Sequence, residues 1–283
     1  MELQLNRYTT SVKTLSKEHT IHDALDLMQK NNIKRIVIVE KDIAIGIITE
    51  RDIGNFLEFD KTSRNLDKIP IGEIMSKNVV TISADQSDVL SQCAIRMNTF
   101  QIGSVIIVDE NEKLVGLATK SDIVYNFAIK HAKTYQVKDY MSQRIITCRQ
   151  TDSLYFGLDM LNKNKISKLV VTTSDGKVMG LISYDTFLRN SNYFKNPSRN
   201  YLLPEGSGKG MTIGDIIGSE LITVNSEDDL AKAANLMIEY KVSGIPVVDA
   251  NDLKGVISTT DIVKAYTEVD IHKRLAKKDP HFV

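Results

Sequence analysis

The feature that most constrains the fold of this 283-residue chain is a short sequence pattern that occurs four times. Each copy begins with a glycine, continues through two apolar residues to a threonine or serine, and then becomes polar. The copies read GIITERDI from Gly46, GLATKSDI from Gly116, GLISYDTF from Gly180 and GVISTTDI from Gly255. The glycines are 70, 64 and 75 residues apart. Because internal repetition builds a structure from equivalent units, we expect four units of one fold.

Two further elements precede each glycine at nearly constant distances. The nearer one is a β-branched run, which reads RIVIVE, SVIIVD, KLVVTT and GIPVVD. The farther one is an amphipathic helical pattern that carries a methionine, at Met28, Met97, Met160 and Met237. With a short strand ahead of this helix, the predicted order in each unit is β-α-β-β-α. In the fourth unit we expect an opening strand in LITVN and a helix start at Ser226, which three acids follow.

The units are too small to stand alone. About sixty residues with one apolar sheet face cannot easily form a stable core, so we expect the units to pair. The expected boundaries are about 10–58 for repeat 1, 74–130 for repeat 2, 139–190 for repeat 3 and 213–268 for repeat 4. Residues 1–135 would form one lobe from repeats 1 and 2. Residues 136–283 would form the other from repeats 3 and 4, with a basic C-terminal tail, and the expected fold class is mixed α/β (α+β).

Composition narrows the functional classes. Lysine plus arginine and aspartate plus glutamate each total 36, so the formal net charge is zero, which argues against groove binding to duplex nucleic acid. Cys93 and Cys148 provide neither a disulfide framework nor a cysteine-rich zinc site. No apolar run has the length of a signal-peptide core or of a membrane span. We therefore expect a soluble cytoplasmic protein with no membrane partner.

The repeated pattern resembles the CBS domain (cystathionine β-synthase domain), which occurs in tandem pairs called Bateman modules. The resemblance rests on the glycine-led strand that ends in T/S-x-x-D, the apolar strand before it and the A-x-x-x-M helix. Short leaders also match, and they read IGEIMS before repeat 2, VKDYMS before repeat 3 and IGDIIGS before repeat 4. The match extends from about Thr10 to Tyr266, and the layout is similar to the γ subunit of AMP-activated protein kinase. The resemblance implies four CBS repeats paired into two Bateman modules.

The T/S-x-x-D turn has two interpretations. A hydroxyl residue at a strand end, followed by aspartate three residues later, is the pattern of a helix N-cap. The same carboxylate can accept hydrogen bonds from both hydroxyls of a ribose, while the hydroxyl and the free helix N–H groups can hold phosphate. The resemblance implies that these positions contact an adenosine ribose and its phosphate in three repeats. They are Thr49 and Asp52, Thr119 and Asp122, and Ser258 and Asp261.

Repeat 3 departs from this pattern. Asp185 follows Gly180 by five residues rather than six, and Thr186 takes the position in register. A shift of one residue turns a side chain by about 100° on a helix, which is enough to direct it away from a ribose. We therefore predict a degraded or empty site in repeat 3.

Basic residues mark the start of the β-branched strand in two repeats. Lys34 and Arg35 stand there in repeat 1, and Lys168 matches Arg35 in repeat 3. The similar kinase γ subunits place a basic residue here against nucleotide phosphates, and a guanidinium can hold a phosphate bidentately. Lys168 is a candidate for reaching into the site of a neighbouring repeat. The alternative is that all three are solvated strand ends.

These expectations define a non-catalytic regulatory protein. It would bind an adenosine-containing ligand between paired repeats and transmit occupancy to an unidentified effector protein by rearrangement of its lobes. AMP, ADP or ATP suits the basic residues of repeat 1, and S-adenosylmethionine suits the uncharged strand starts of repeats 2 and 4. We expect no catalytic residue, catalytic cofactor or metal. The alternatives are a nucleic-acid-binding CBS protein that uses the tail and linker, and a structural scaffold whose turns are only helix caps. Both a monomer and a homodimer remain open.

Overall fold

The computed structural model describes residues 11–60, 62, 64–194, 210–218 and 220–278. The linker predicted between repeats 3 and 4, residues 196–210, lies outside the described residues up to residue 209, and so do the last five residues of the basic tail that spans residues 272–283.

Repeat 1 has the predicted order of elements. It contains β1 (Thr14–Leu15), α1 (Ile21–Asn31), β2 (Arg35–Glu40), β3 (Ile43–Thr49) and α2 (Glu50–Phe59). β1 pairs in parallel with β2, and β2 pairs antiparallel with β3. The register places Arg35 opposite Thr49. The start of β2 therefore lies beside the end of β3, where α2 begins.

Repeats 2 and 3 follow the same plan. Repeat 2 contains β4 (Thr81–Ser83), α3 (Val89–Thr99), β5 (Ser104–Val108), β6 (Leu114–Thr119) and α4 (Lys120–Lys130). Repeat 3 contains β7 (Thr147–Arg149), α5 (Leu154–Lys163), β8 (Leu169–Thr172), β9 (Val178–Ile182), α6 (Tyr184–Leu188) and α7 (Ser191–Phe194). Each repeat forms a three-stranded sheet whose strands lie in sequence order. The mixed α/β fold class is thus confirmed.

Repeat 4 differs from the prediction in its first two elements. It contains α8 (Leu230–Glu239), β10 (Gly244–Asp249), β11 (Asp252–Ser258) and α9 (Thr259–Lys278). The expected opening strand is reduced to one parallel bridge between Val224 and β10. The N-cap of α8 is Asp229, whose side chain accepts from a backbone N–H of the first turn. Ser226, predicted to start this helix, instead donates its own N–H to Asp249 at the end of β10, so that prediction was wrong by three residues.

Helix α9 continues well beyond the repeat pattern. It is 20 residues long, so the first part of the basic tail prolongs this helix. Within the described part of the chain, no helix combines the length and the apolar composition that a membrane crossing requires.

Packing divides the chain into two compact units of two repeats each. One unit joins residues 13–78 with 145–222, and we call it the 1/3 unit because it contains repeats 1 and 3. The other, the 2/4 unit, joins residues 79–144 with the chain from residue 223 onward. This division differs from the expected one, in which repeats 1 and 2 form one lobe and repeats 3 and 4 form the other.

The physical reason is where the apolar faces of the helices pack. Helix α2 of repeat 1 packs on α5 and α6 of repeat 3, and α4 of repeat 2 packs on α8 and α9 of repeat 4. A helix with one apolar face must bury it against another element, and here the partner helix belongs to a repeat that is distant in sequence. The division into consecutive modules at residues 135 and 136 remains a prediction.

The core of the 1/3 unit is continuous across both repeats. Ile53 and Leu57 of α2 lie in one buried cluster with Leu158 of α5. Between them, Gly54 permits a close approach, because a Cβ atom there would lie 2.5 Å from Cδ1 of Tyr184 in α6. The contact between the two repeats therefore requires a glycine at this position.

The leader segments explain the glycine that begins the repeated pattern in repeats 1 and 4. The leader IGEIMS lies along β3 of repeat 1, where Ile47 and Ser76 exchange two backbone hydrogen bonds of 2.9 Å. A Cβ atom at Gly46 would lie 2.7 Å from Sδ of Met75 in this leader. The leader VKDYMS packs in the same way on β11 of repeat 4, over Gly255. The glycine thus leaves room for the leader against the strand.

Candidate functional site

Three of the four repeated turns form the same half-buried capping box. Thr49 is the N-cap of α2, and Oδ2 of Asp52 accepts from its backbone N–H at 2.8 Å and from its hydroxyl at 2.6 Å. The corresponding pairs in repeats 2 and 4 make the same two hydrogen bonds at 2.6–2.8 Å: Thr119 with Asp122, and Ser258 with Asp261. The turn therefore fixes each aspartate at the first turn of a helix, at the end of a strand.

Burial distinguishes these carboxylates from an ordinary capping residue. It raises the pKa of Asp52 and of Asp261, and the hydrogen bonds from the capping hydroxyl residue oppose the rise in each case. A desolvated carboxylate gains more from a further hydrogen-bond donor than an exposed one does. Such a carboxylate is suited to accept hydrogen bonds from the hydroxyls of a bound molecule.

The chain also contains a capping box of the same geometry on its surface. At the start of α1, Oδ2 of Asp23 accepts from the backbone N–H and from the hydroxyl of Thr20, both at 2.8 Å. Asp23 is exposed, and hydrogen bonds from Thr20 lower its pKa. This box is a helix cap outside the repeated turns, so it serves as a matched reference for the turns themselves.

The turn of repeat 3 has no carboxylate in the position of Asp52. Oγ1 of Thr186 occupies that place and accepts from the backbone N–H of Ser183 at 3.2 Å. Asp185 instead accepts from Nε of Arg189, one helical turn later, at 3.0 Å. The register shift has the geometric consequence that the sequence predicts. A consequence for ligand binding remains a prediction.

Charged residues of both repeats converge in the 1/3 unit. The carboxylate of Glu50, the first residue of α2, interacts electrostatically with Lys34, Arg35, Lys168 and Asp185. The backbone N–H of Glu50 donates to the carbonyl of Lys34 at 3.1 Å. All five residues are half-buried. The structure thus brings the three predicted basic residues together, with Lys168 contributed by repeat 3 and the other two by repeat 1.

Glu50 is an unusual acid in this setting. Burial raises its pKa to about 7, and repulsion from Asp185 adds to the rise. Attraction from Lys34, Lys168 and Arg35 acts in the opposite direction. The desolvation cost therefore outweighs three positive charges, and the carboxyl titrates near neutral pH.

The 2/4 unit has a lysine at the position of Glu50. Lys120 is the first residue of α4, and its Nζ donates to Oγ1 of Thr260 in repeat 4 at 2.8 Å. It also lowers the pKa of Asp261. Lys120 thereby connects the turn of repeat 2 with that of repeat 4. Neither Glu50 nor Lys120 is among the site residues predicted from the sequence, although each directly follows the threonine of a repeated turn.

The two cysteines do not contribute reactive groups. Both are buried, and burial raises the pKa of the Cys93 and Cys148 thiols to about 12. A thiol in such surroundings stays protonated and is a poor nucleophile. Across the described ranges, His, Cys, Asp and Glu side chains form no group of three that could hold a metal ion.

Comparison with known proteins defines the class of this chain. The profile of the CBS domain matches residues 5–58, 71–128, 137–193 and 213–268. The chain therefore belongs to the CBS-domain family, as the sequence pattern predicts, and the four matches correspond to its four repeats.

Among its relatives, the chain is similar to protein MJ1225 of Methanocaldococcus jannaschii. The two are 27% identical over 271 residues, which cover 90% of this chain and 95% of MJ1225. The crystal structure of MJ1225, described as a proposed archaeal homologue of γ-AMPK, matches with a TM-score of 0.77 over 90% of this chain and 96% of that one, at 24% identity. Protein MJ1404 of the same organism is 27% identical over 304 aligned positions, covering all of this chain and 68% of MJ1404. The likeness to the crystal structure shows a common fold.

Proposed function

We propose that this chain is a non-catalytic regulatory protein that binds an adenosine-containing ligand at the turns of repeats 1, 2 and 4. The observation that carries the proposal is the arrangement in the 1/3 unit. A desolvated carboxylate, Asp52, stands at the N-terminus of a ten-residue helix, on the same strand-to-helix connection that gathers Lys34, Arg35 and Lys168. An adenosine nucleotide presents both groups that such a site recognises, a pair of ribose hydroxyls and a phosphate.

In this proposal each residue has one task. The ribose hydroxyls donate to Asp52, while the hydroxyl of Thr49 and the positive N-terminal end of α2 face the phosphate. Lys34, Arg35 and Lys168 neutralise the phosphate charge. The description of MJ1225 as a proposed homologue of γ-AMPK agrees with a regulatory function of this kind.

We infer that the two units prefer ligands of different charge. The 1/3 unit gathers three basic side chains and suits AMP, ADP or ATP. The 2/4 unit begins its strands with the uncharged pairs Gly103-Ser104 and Ser243-Gly244, and Lys120 supplies one positive charge. A ligand with less negative charge, such as S-adenosylmethionine, suits it better. Repeat 3, with Thr186 in place of the aspartate, binds no ligand of its own.

Regulation follows from differential binding. A ligand changes the conformation only to the extent that it binds one arrangement more tightly than another. An effector protein would read that change, and both the effector and a homodimeric assembly remain predictions.

Isothermal titration with AMP, ATP, S-adenosylmethionine and NAD tests the proposal. We expect one adenosyl ligand to bind the wild type. Its affinity should fall about tenfold or more in a variant that lacks one of the three aspartates, because a hydrogen bond to a charged group contributes about 1.5–3 kcal/mol. The variants are Asp52→Ala, Asp122→Ala and Asp261→Ala. The matched control is Asp23→Ala, which removes a capping box of the same geometry at an exposed helix start. It should lower stability by about 1 kcal/mol and leave ligand affinity unchanged.

Two outcomes would support the competing functions. If no adenosyl ligand binds and the four aspartate variants change stability alone, the repeated turns are structural caps and the scaffold interpretation holds. If the chain instead binds DNA or RNA with an affinity that falls steeply as salt is raised, the nucleic-acid interpretation holds.

A further inference from the structure

The position after the capping threonine carries opposite charges in the two units. In the 2/4 unit it is Lys120, which meets the hydroxyl of Thr260. In the 1/3 unit it is Glu50, whose backbone N–H donates to the carbonyl of Lys34 at 3.1 Å and whose carboxylate is repelled by that of Asp185. Asp185 and Thr260 occupy the same position, two residues after the capping serine of repeats 3 and 4. The 1/3 unit therefore has two acids, Glu50 and Asp185, at the positions where the 2/4 unit has a lysine and a threonine.

The first turns of α2 and α6 lie close together, so this acidic pair is built into the packing of the 1/3 unit. Arg51 of α2 lies over the ring of Tyr184 of α6, with Cζ 5.8 Å from the ring centroid. Gly54 permits this approach, since its hydrogen faces the same ring. Neither helix can move away without exposing Tyr184, which is only 4% exposed. This packing thus holds Asp185 within electrostatic reach of Glu50, which interacts with the three bases.

We propose that Glu50 is an internal competitor for the basic group formed by Lys34, Arg35 and Lys168, so that an anionic ligand binds the 1/3 unit together with a proton. The location of the anion rests on the proposed function above, but recognition of adenosine is not needed. In the ligand-free chain, the ionised Glu50 partly neutralises the bases. When an anion occupies the group, its charge repels Glu50, which then takes up a proton from solvent.

The charged groups that face Glu50 determine the sign of this linkage. Lys34, Arg35 and Lys168 favour its ionised form, while Asp185 and burial favour its protonated form. A bound anion adds a negative charge and weakens the influence of the bases, so anion binding and proton uptake reinforce each other. Anion affinity should therefore fall as the pH rises through about 7, the pKa of Glu50.

Sulfate is the probe that tests this linkage, because it keeps its divalent charge across the neutral range whereas phosphates titrate within it. Sulfate affinity of the full chain would be measured at pH 6 and pH 8 by chemical-shift titration. If binding requires the protonated acid, affinity falls about tenfold between these values, following the protonated fraction of a group with a pKa of about 7. Glu50→Gln should abolish the pH dependence and bind sulfate more tightly than wild type at pH 8.

Two further variants provide a second test of the proton linkage and a control for it. Asp185→Asn removes the repulsion that raises the Glu50 pKa, so its affinity profile should move to lower pH, and this readout serves even if Glu50→Gln does not fold. Glu40→Gln is the control, because Glu40 is an exposed acid at the end of β2 that pairs with Lys17. It should keep the pH dependence of the wild type.

The inference is overturned if sulfate fails to bind the wild type, or if Glu50→Gln keeps the wild-type pH dependence. Proton-linked sulfate binding without binding of any adenosyl ligand would support this inference and refute the proposed function. Binding of an adenosyl ligand, together with a sulfate affinity that does not depend on pH, would support the proposed function and refute the proton linkage.

Discussion

Replacing Gly54 by alanine tests directly whether repeats 1 and 3 pack against each other through α2. The added Cβ atom would lie 2.5 Å from Cδ1 and 2.8 Å from Cε1 of Tyr184. The ring cannot easily withdraw, because its hydroxyl donates to Asn162 at 2.6 Å and Arg51 covers its face. Alanine must therefore displace a buried and anchored aromatic side chain.

The magnitude follows from two opposing effects. In a helix without tertiary contacts, alanine is more favourable than glycine by about 1 kcal/mol. Inserting a methyl group into a well-packed interface costs about 1–3 kcal/mol, and the anchored ring of Tyr184 favours the upper part of that range. The expected net result for Gly54→Ala is a loss of about 1–2 kcal/mol in the free energy of unfolding.

Urea unfolding followed by circular dichroism measures this loss. The control is the double variant Gly54→Ala/Tyr184→Leu, compared with Tyr184→Leu alone. Because the ring is gone, alanine at position 54 should be neutral or stabilising in that background. A stabilising effect of Gly54→Ala in the otherwise wild-type chain would show that α2 is not packed against repeat 3.

Three further predictions concern other buried or half-buried groups. Burial raises the pKa of Glu50 from 4.5 to about 7, so the wild type should lose about 2–3 kcal/mol of its free energy of unfolding between pH 5 and pH 8, and Glu50→Gln should not. Urea unfolding at both pH values measures this loss, and equal losses in the two proteins would show that the acid is not desolvated. Cys93 and Cys148 should resist iodoacetamide at pH 8 in the native protein and react after unfolding; rapid native labelling would contradict their burial. Tyr140→Phe removes a 2.7 Å hydrogen bond to Glu268 and should cost about 1–2 kcal/mol in urea unfolding, whereas an unchanged midpoint would show that this bond does not stabilise the fold.

The sequence predicts the structural features that depend on a local pattern of residues. The order of strands and helices follows from hydrophobic period, and the capping boxes follow from T/S-x-x-D, including the substitution by Thr186 in repeat 3. The opening of repeat 4 was predicted incorrectly. Three acids follow Ser226, and the last of them, Asp229, caps the helix because Ser226 is held by Asp249.

The sequence does not predict the contacts that depend on which repeats pack against each other. The pairing of repeat 1 with repeat 3 is set by tertiary packing of helix faces, and its one local signal is Gly54, where repeats 2 and 4 have Val124 and Val263. The roles of Glu50 and Lys120 follow from the same pairing, because each faces a residue far away in the chain. Neither role is visible in a single repeat.

We propose that repeat 3, which lacks the aspartate of its own turn, contributes Lys168 to the site of repeat 1. The most direct measurement compares the ATP dissociation constants of Lys168→Ala and Lys163→Ala by isothermal titration. Lys163 is an exposed lysine in the last turn of α5 in the same repeat, so its loss changes the net charge equally. We predict that Lys168→Ala weakens ATP binding about tenfold or more and that Lys163→Ala leaves it unchanged. Equal dissociation constants for the two variants would contradict the claim.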